Sequence, residues 1–106
     1  MEKSDANNLF REAESRFVAG DFVGALDTLN ALDATFPNNR RVMYPKARCL
    51  AELGRYNEAI VLCDVLTKEH FYERAARLKD RIVSERELIA LEVRKVRDAE
   101  EHEPAP

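Results

Sequence analysis

Glycine and proline are scarce in this sequence of 106 residues, which contains three glycines and four prolines. A β-sandwich or β-barrel needs a turn about every 8 to 12 residues, and these two residue types supply many of those turns. Tryptophan is absent, and there are only two histidines and two cysteines. The length allows no more than one domain, and the shortage of turn residues favours a helical fold for it.

The sequence also lacks any long apolar run or targeting pattern. No stretch approaches the ~18 apolar residues of a membrane span, so we expect no membrane contact. The start, MEKSDANN, lacks the basic and apolar regions of a secretory signal, although a chain trimmed of its leader would look the same. Cys49 and Cys63 show no CxxC spacing. We therefore expect buried, reduced thiols in a cytoplasmic protein.

Charge of one sign does not dominate, since the net charge is −3. Residues 1–37 contain three basic and seven acidic groups, whereas residues 38–71 contain six basic and four acidic groups. Residues 72–106 are nearly balanced, with eight basic and nine acidic groups. The chain as a whole does not have the basic balance of a nucleic-acid-binding protein. An anionic partner would meet the middle segment.

A short sequence phrase occurs twice, at an offset of 34 residues. Both copies have a glycine, an aromatic residue two positions later and an alanine five positions after the glycine; they are VAGDFVGAL at 18–26 and ELGRYNEAI at 52–60. Apolar residues around each copy recur at intervals of three and four, which is helical spacing. The pattern predicts two amphipathic helices per copy, with breaks at 20–21 and 54–55. The small residues Ala13, Ala25, Ala47 and Ala59 are expected where helices cross closely.

The phrases GDFVGAL and GRYNEAI, with PNN at 37–39, resemble the tetratricopeptide repeat, whose period is 34 residues. The resemblance covers residues 6–73 and divides them into repeats at 6–39 and 40–73. It implies an all-α fold of two stacked antiparallel helical hairpins. The chain departs from the family pattern where Leu9 and Met43 replace the usual tryptophan. The second copy also lacks the exit proline, and has HFY at 70–72 instead.

After the repeats, residues 74–99 contain no glycine or proline and predict a long C-terminal capping helix. Its first part should cover the second hairpin. Its second part has little left to pack on, so it either pairs with another copy or partner, or remains a solvated, fraying helix with many charge pairs. The candidate self-association residues are Leu88, Ile89, Val93 and Val96. Residues 100–106 are acidic and proline-bearing, and are expected to be disordered.

Pro45 lies within the first helix predicted for the second repeat. A proline beyond the first turn removes one backbone hydrogen bond and crowds the preceding turn. Two interpretations are open: the helix begins late, near Met43, or it bends at Pro45 and shapes a binding surface.

No constellation typical of catalysis is present, because the three serines are scattered and no glycine-rich phosphate loop occurs. A zinc set of Cys49, Cys63 and His70 is disfavoured, since the last two lie seven residues apart on one predicted helix, about 10 Å along its axis. We therefore expect no enzyme activity, no metal and no cofactor.

The resemblance implies that the first helix of each pair lines a concave groove that binds a peptide or partner helix. The groove residues by repeat position are Asn7, Phe10, Glu14, Phe17 and Val18 from the first copy, and Arg41, Tyr44, Arg48, Ala51 and Glu52 from the second. Aromatic rings could hold apolar side chains, and the arginines could bind a carboxylate through two hydrogen bonds. The alternative is that Phe17 belongs to the core and Arg41 is an ordinary solvated charge.

The best-known peptide-binding mode of the family that this chain resembles is a clamp of five polar residues, which holds the C-terminal carboxylate of chaperone tails. The corresponding positions in this chain are Phe10, Glu14, Pro45, Ala75 and Lys79. Only Lys79 retains a suitable charge, so a clamp of that type is disfavoured.

We therefore predict a non-enzymatic protein-interaction module, an adaptor or scaffold whose partner is another protein. One alternative is a structural protein that forms a homodimer through its C-terminal helix. Another is an enzyme accessory or nucleic-acid adaptor that uses the basic middle segment.

Overall fold

The computed structural model describes residues 2–101 and confirms the all-α prediction. Five helices follow one another along the chain, and the described residues include no β-strand; the helices are α1 (Lys3–Val18), α2 (Phe22–Thr35), α3 (Arg40–Glu52), α4 (Tyr56–His70) and α5 (Glu73–Glu101). Each helix packs against the next in the chain. This order is that of two helical hairpins and a final capping helix. The acidic tail predicted to be disordered lies, from residue 102 onward, outside the described residues.

The repeated phrase forms the corner of each hairpin, as the sequence predicted. Gly20 and Gly54 have φ angles of 83° and 76°, a left-handed conformation that ends a helix at little cost only in glycine. In the first corner, the rings of Phe17 and Phe22 meet edge to face, with centroids 5.1 Å apart. The four alanines expected at close helix crossings are all buried: Ala13, Ala25, Ala47 and Ala59.

The connections between hairpins also follow from local sequence. The side-chain oxygen of Asn39 accepts a hydrogen bond from the backbone N–H of Arg41 at 2.9 Å, which caps the start of α3. After α4, only two residues precede α5, and Phe71 takes the left-handed conformation that a glycine would usually adopt. The second exit is therefore shorter than the first.

One continuous hydrophobic core runs along the stack. Its fully buried large side chains come from α2, α3, α4 and the first half of α5, and include Leu29, Leu32, Val42, Leu66 and Ile82. Ala75 and Leu78, on the same face of α5 as Ile82, are also buried. The N-terminal part of α5 thus covers the second hairpin, as a capping helix must.

The C-terminal half of α5 extends beyond the stack. The helix has 29 residues and is therefore about 43 Å long at ~1.5 Å per residue. From residue 86 to residue 100 every side chain is exposed. The overhang gives the described chain an elongated shape of 68 × 29 × 19 Å.

Pro45 lies inside α3, because this helix begins at Arg40. Of the two interpretations left open for Pro45, the late start of the helix near Met43 is therefore wrong. Asn39 explains the difference, since its cap lets the helix start early enough that Pro45 falls in the second turn. The missing N–H at Pro45 leaves the carbonyl of Arg41 without its intrahelical donor.

The described helices include none that combines the length and the apolar character needed to cross a bilayer.

Candidate partner-binding groove

The first helix of each hairpin contributes one wall of an open groove. The residues that line it from α1 and α3 have the same spacing of three, four and seven, which places each set on one helix face; they are Phe10, Ala13, Glu14 and Phe17, and Arg41, Tyr44, Pro45 and Arg48. Arg40 and Tyr72 complete the accessible lining, and the buried side chains of Leu29 and Cys49 lie beneath it. The groove encloses about 390 Å³. This is large enough for part of a peptide.

Arginine side chains lie on aromatic rings across the groove. The guanidinium of Arg41 is 4.8 Å from the centroid of Phe10, and that of Arg48 is 4.5 Å from the centroid of Phe17. Both contacts join α3 to α1, so the walls meet through these long side chains. Such cation–π contacts contribute about 0.5–1 kcal/mol each at exposed positions. They hold the guanidinium groups in place at the groove surface.

A second pair of stacks lies at the α3–α5 side. The rings of Tyr44 and Tyr72 meet edge to face at 5.1 Å. The guanidinium of Arg40 lies 5.3 Å from the Tyr72 centroid, and that of Arg74 lies 5.1 Å from the Tyr44 centroid. The groove surface therefore continues from α1 across α3 to the beginning of α5.

The groove arginines have no carboxylate partner within residues 2–100. The ion pairs of the structure involve other cations, such as Lys46 with Asp33 and Lys79 with Asp64. Of the four stacked arginines, only Arg74 makes a side-chain hydrogen bond in this part of the chain, a long one of 3.4 Å to the Tyr72 hydroxyl. Glu14 is the one carboxylate among the lining residues, and no described cation lies within 4.0 Å of it. The groove is therefore electropositive, with most of its N–H donors unused.

The structure brings together six of the ten groove residues taken from the sequence: Phe10, Glu14, Phe17, Arg41, Tyr44 and Arg48. Asn7 is exposed but lies outside the lining, and Glu52 faces Arg81 at 3.9 Å instead. Of the two further groove positions, Val18 is exposed outside the lining and Ala51 is buried. Phe17 has both of the roles considered for it, because its half-buried ring packs on the core and also lines the groove.

Sequence reasoning missed the contribution of the segment after α4. Tyr72 and Arg74 were assigned to the repeat exit and the capping helix, yet both contribute to the Arg–aromatic stacks. The available signal was the spacing of Arg74, Arg77 and Arg81, which places three basic side chains on one face of α5. These three arginines line a shallow depression that continues from Tyr44.

Comparison with known families decides the identity of this scaffold. A family model described as a tetratricopeptide repeat matches residues 17–82, which is more than half of the chain. The chain belongs to the tetratricopeptide repeat family. Neither the curated proteins nor the solved structures gave a match. The resemblance inferred from GDFVGAL and GRYNEAI is thus confirmed, while the repeat boundaries at 6–39 and 40–73 stay a prediction.

The structure places the family's carboxylate-clamp positions unfavourably in this tetratricopeptide repeat protein. Lys79, the one suitable cation, donates a 2.7 Å hydrogen bond to Asp64 on α4, which raises the pKa of this lysine. Ala75, at another clamp position, is buried. The cations that do face the groove, such as Arg41, occupy other positions.

The four residues suggested for self-association are all exposed on the overhang of α5. Ile89, Val93 and Val96 are 50%, 53% and 58% exposed and continue the helix face that Leu78 and Ile82 bury further back. Leu88 is 63% exposed and lies more than a quarter turn away from that face. Three of the four therefore form one apolar row.

The two cysteines belong to the interior of this tetratricopeptide repeat scaffold. Cys49 and Cys63 are free thiols and have no exposed surface. Burial raises the pKa of both thiols to about 11, so both are protonated at neutral pH. Within the described residues, no cluster of three or more histidine, cysteine or acidic side chains could hold a metal ion.

Proposed function

We propose that this chain is a non-enzymatic interaction module that binds a segment of another protein in the groove formed by α1, α3 and the start of α5. Members of the tetratricopeptide repeat family generally bind other proteins. The observation that carries the proposal for this chain is the row of half-buried rings along an open groove: Phe10, Phe17, Tyr44 and Tyr72. Aromatic side chains that are accessible but held by their neighbours are typical anchors of protein interfaces.

The same scaffold supports an adaptor or scaffold role in the cytoplasm. The two cysteines are free and buried, which agrees with a reducing compartment. The accessible polar side chains of the groove are arginines, two tyrosines and one glutamate, and the described residues show no hydrogen-bonded pair of nucleophile and base among them. Binding rather than chemistry is what this arrangement supports.

The groove can be tested with peptides selected from a random phage-displayed library on the intact chain. Affinity is then measured by fluorescence anisotropy for the wild type and for Tyr44→Ala. Because the ring of Tyr44 lines the groove and is held by Tyr72 and Arg74, we expect its removal to cost about 2 kcal/mol, which is about thirtyfold in Kd.

The matched control is Tyr56→Ala, which removes another half-buried tyrosine at the second hairpin corner, outside the groove lining. Circular dichroism confirms that both variants remain folded. Equal losses for Tyr44→Ala and Tyr56→Ala, or no loss for either, would contradict groove binding.

A second candidate function is self-assembly through the overhang of α5. The row of Ile89, Val93 and Val96 lies on the face that buries Ile82 in the core, so the apolar pattern continues beyond the intramolecular contact. Residues 85–98 contain four acidic and four basic side chains, and a surface without net charge does not repel a second copy of itself. We propose a homodimer through this row as the alternative use of the chain.

Sedimentation velocity over a wide concentration range tests the dimer. If it forms through the row, Val93→Glu should give a monomer at concentrations where the wild type is dimeric, because a carboxylate would be buried without a partner. Val61→Glu is the matched control, since Val61 is 61% exposed on α4. A wild type that stays monomeric at the highest concentration would exclude this alternative.

A further inference from the structure

The charges of the groove indicate which class of segment it binds, beyond the general statement that it binds protein. Four arginines, Arg40, Arg41, Arg48 and Arg74, lie on its rings, against the single carboxylate of Glu14. We propose that the ligand is an acidic segment whose aspartate or glutamate side chains accept hydrogen bonds from these arginines. The proposal rests on groove binding and narrows it to one chemical class.

Contacts with the aromatic rings hold the groove arginines in positions from which they can bind a carboxylate. A guanidinium that lies over a ring uses its flat face, and its five N–H donors remain in the plane at its edge. Arg41 on Phe10 and Arg48 on Phe17 make no side-chain hydrogen bond or ion pair within residues 2–100, so their donors are free for a planar carboxylate. A fixed side chain loses less conformational entropy on binding than a mobile one, which favours affinity.

The excess of positive charge is local to the groove, since the chain as a whole is negatively charged. The net charge of the protein is −3, so the protein as a whole repels an acidic ligand weakly. Elsewhere, cations such as Lys46 and Lys79 are neutralised by carboxylates of the same chain. The groove arginines have no such partner in residues 2–100, and an acidic ligand would supply it.

The negative charge of Glu14 in the groove should lower the affinity for an acidic ligand. Glu14 is exposed, lies about one helical turn from both Phe10 and Phe17 along α1, and has no described cation within 4.0 Å of its carboxylate. A negative ligand side chain near it is disfavoured. Neutralising Glu14 should therefore strengthen binding, which a variant that merely disturbs the fold would not do.

The test uses acidic peptides selected from the phage-displayed library and synthetic versions in which every Asp and Glu is replaced by Asn or Gln. We expect the amide versions to bind the wild type at least about tenfold more weakly, because hydrogen bonds to charged groups are the stronger ones. Binding of the acidic versions should weaken as salt is raised.

Protein variants complete the test. The double variant Arg41→Gln and Arg48→Gln should lose at least about tenfold in affinity for the acidic peptides, and the corresponding lysine variant should recover part of it. Glu14→Gln should bind them about two- to fivefold more tightly. Arg94→Gln on the exposed overhang is the matched control, and should leave affinity unchanged.

Each contrary outcome overturns a different statement. Selected peptides that are neutral, or that bind equally well as amides and still depend on Tyr44, would overturn the acidic ligand and leave groove binding intact. If the peptides bind Tyr44→Ala and the arginine double variant with the same affinity as the wild type, both groove binding and the acidic ligand are overturned. Oligouridine that binds the groove more tightly than any peptide, and competes with it, would identify a nucleic acid as the ligand instead.

Discussion

Ile82 and Ile89 provide an internal comparison, because they lie seven residues apart on the same face of α5. Ile82 is fully buried against the second hairpin, whereas Ile89 is 50% exposed on the overhang. Replacing each with alanine makes the same chemical change at two positions that differ in what covers them. The stabilities of the two variants therefore show how far along α5 the helix packs on the second hairpin.

The expected magnitudes differ widely. Ile→Ala removes three carbon groups, worth about 0.8 kcal/mol each when buried, and the cavity left in a packed core raises the total to about 2–5 kcal/mol. Ile82→Ala should reach this range, a large part of the about 5–15 kcal/mol typical of a domain. Ile89→Ala removes little buried area and gains up to about 0.5 kcal/mol of helix propensity, so its effect should stay within about ±0.5 kcal/mol.

Urea denaturation followed by circular dichroism at low micromolar concentration measures both values. Similar losses of unfolding free energy for the two variants would contradict a structure in which α5 is buried at Ile82 and exposed at Ile89. If Ile89→Ala is neutral at low concentration but destabilising at high concentration, the overhang pairs with a second copy, since dimer formation stabilises by mass action.

Three further predictions concern the scaffold. Asn39→Ala removes the cap of α3 and should cost about 1 kcal/mol in urea denaturation, and an unchanged midpoint would refute the capping role. Gly54→Ala places a side chain at a φ of 76° in open space, so it should cost about 1–2 kcal/mol through backbone strain alone, and an unchanged urea midpoint would contradict this. Cys49 and Cys63 should resist a thiol reagent at pH 8 in the folded chain and react once unfolded, because burial raises the pKa of both to about 11; rapid labelling without unfolding would contradict this.

The same pKa shifts give a stability that depends on pH. The folded chain keeps these thiols protonated up to a pH of about 11, because burial raises their pKa, whereas the unfolded chain releases the protons near an ordinary thiol pKa of 9.0. The contribution of Cys49 and Cys63 is therefore fully present below pH 9 and is lost as pH rises towards 11. Replacing both with alanine should flatten this part of the pH profile.

The sequence was sufficient to predict the scaffold because its signals are local. A glycine such as Gly20 identifies a helix end through its own backbone, and a repeat offset of 34 residues gives two independent observations of each position. The burial of Ala13 and Ala47 follows from the same pattern. Fold class and hairpin corners could therefore be predicted without knowledge of tertiary contacts.

The groove could be predicted only in part, because its walls come from distant segments. Phe10 and Arg41 are 31 positions apart, and repeat spacing placed both on the concave face but could not show that one stacks on the other. Tyr72 and Arg74 follow an exit without the expected proline, so their place depended on how sharply the chain turned at Phe71. The start of the helix around Pro45 was left open between two interpretations, and the cap of Asn39 excludes the late start because the helix begins at Arg40.

The most direct test of the central claim is amide chemical-shift mapping of the intact chain with a selected acidic peptide. If the groove is the binding site, the largest shifts will fall at residues 10–17, 40–48 and 72–74, and they will be smaller for the amide version of the peptide at the same subsaturating concentration. Shifts confined to the exposed side of α4 or to the overhang of α5 would contradict the assignment of this groove as the partner-binding site.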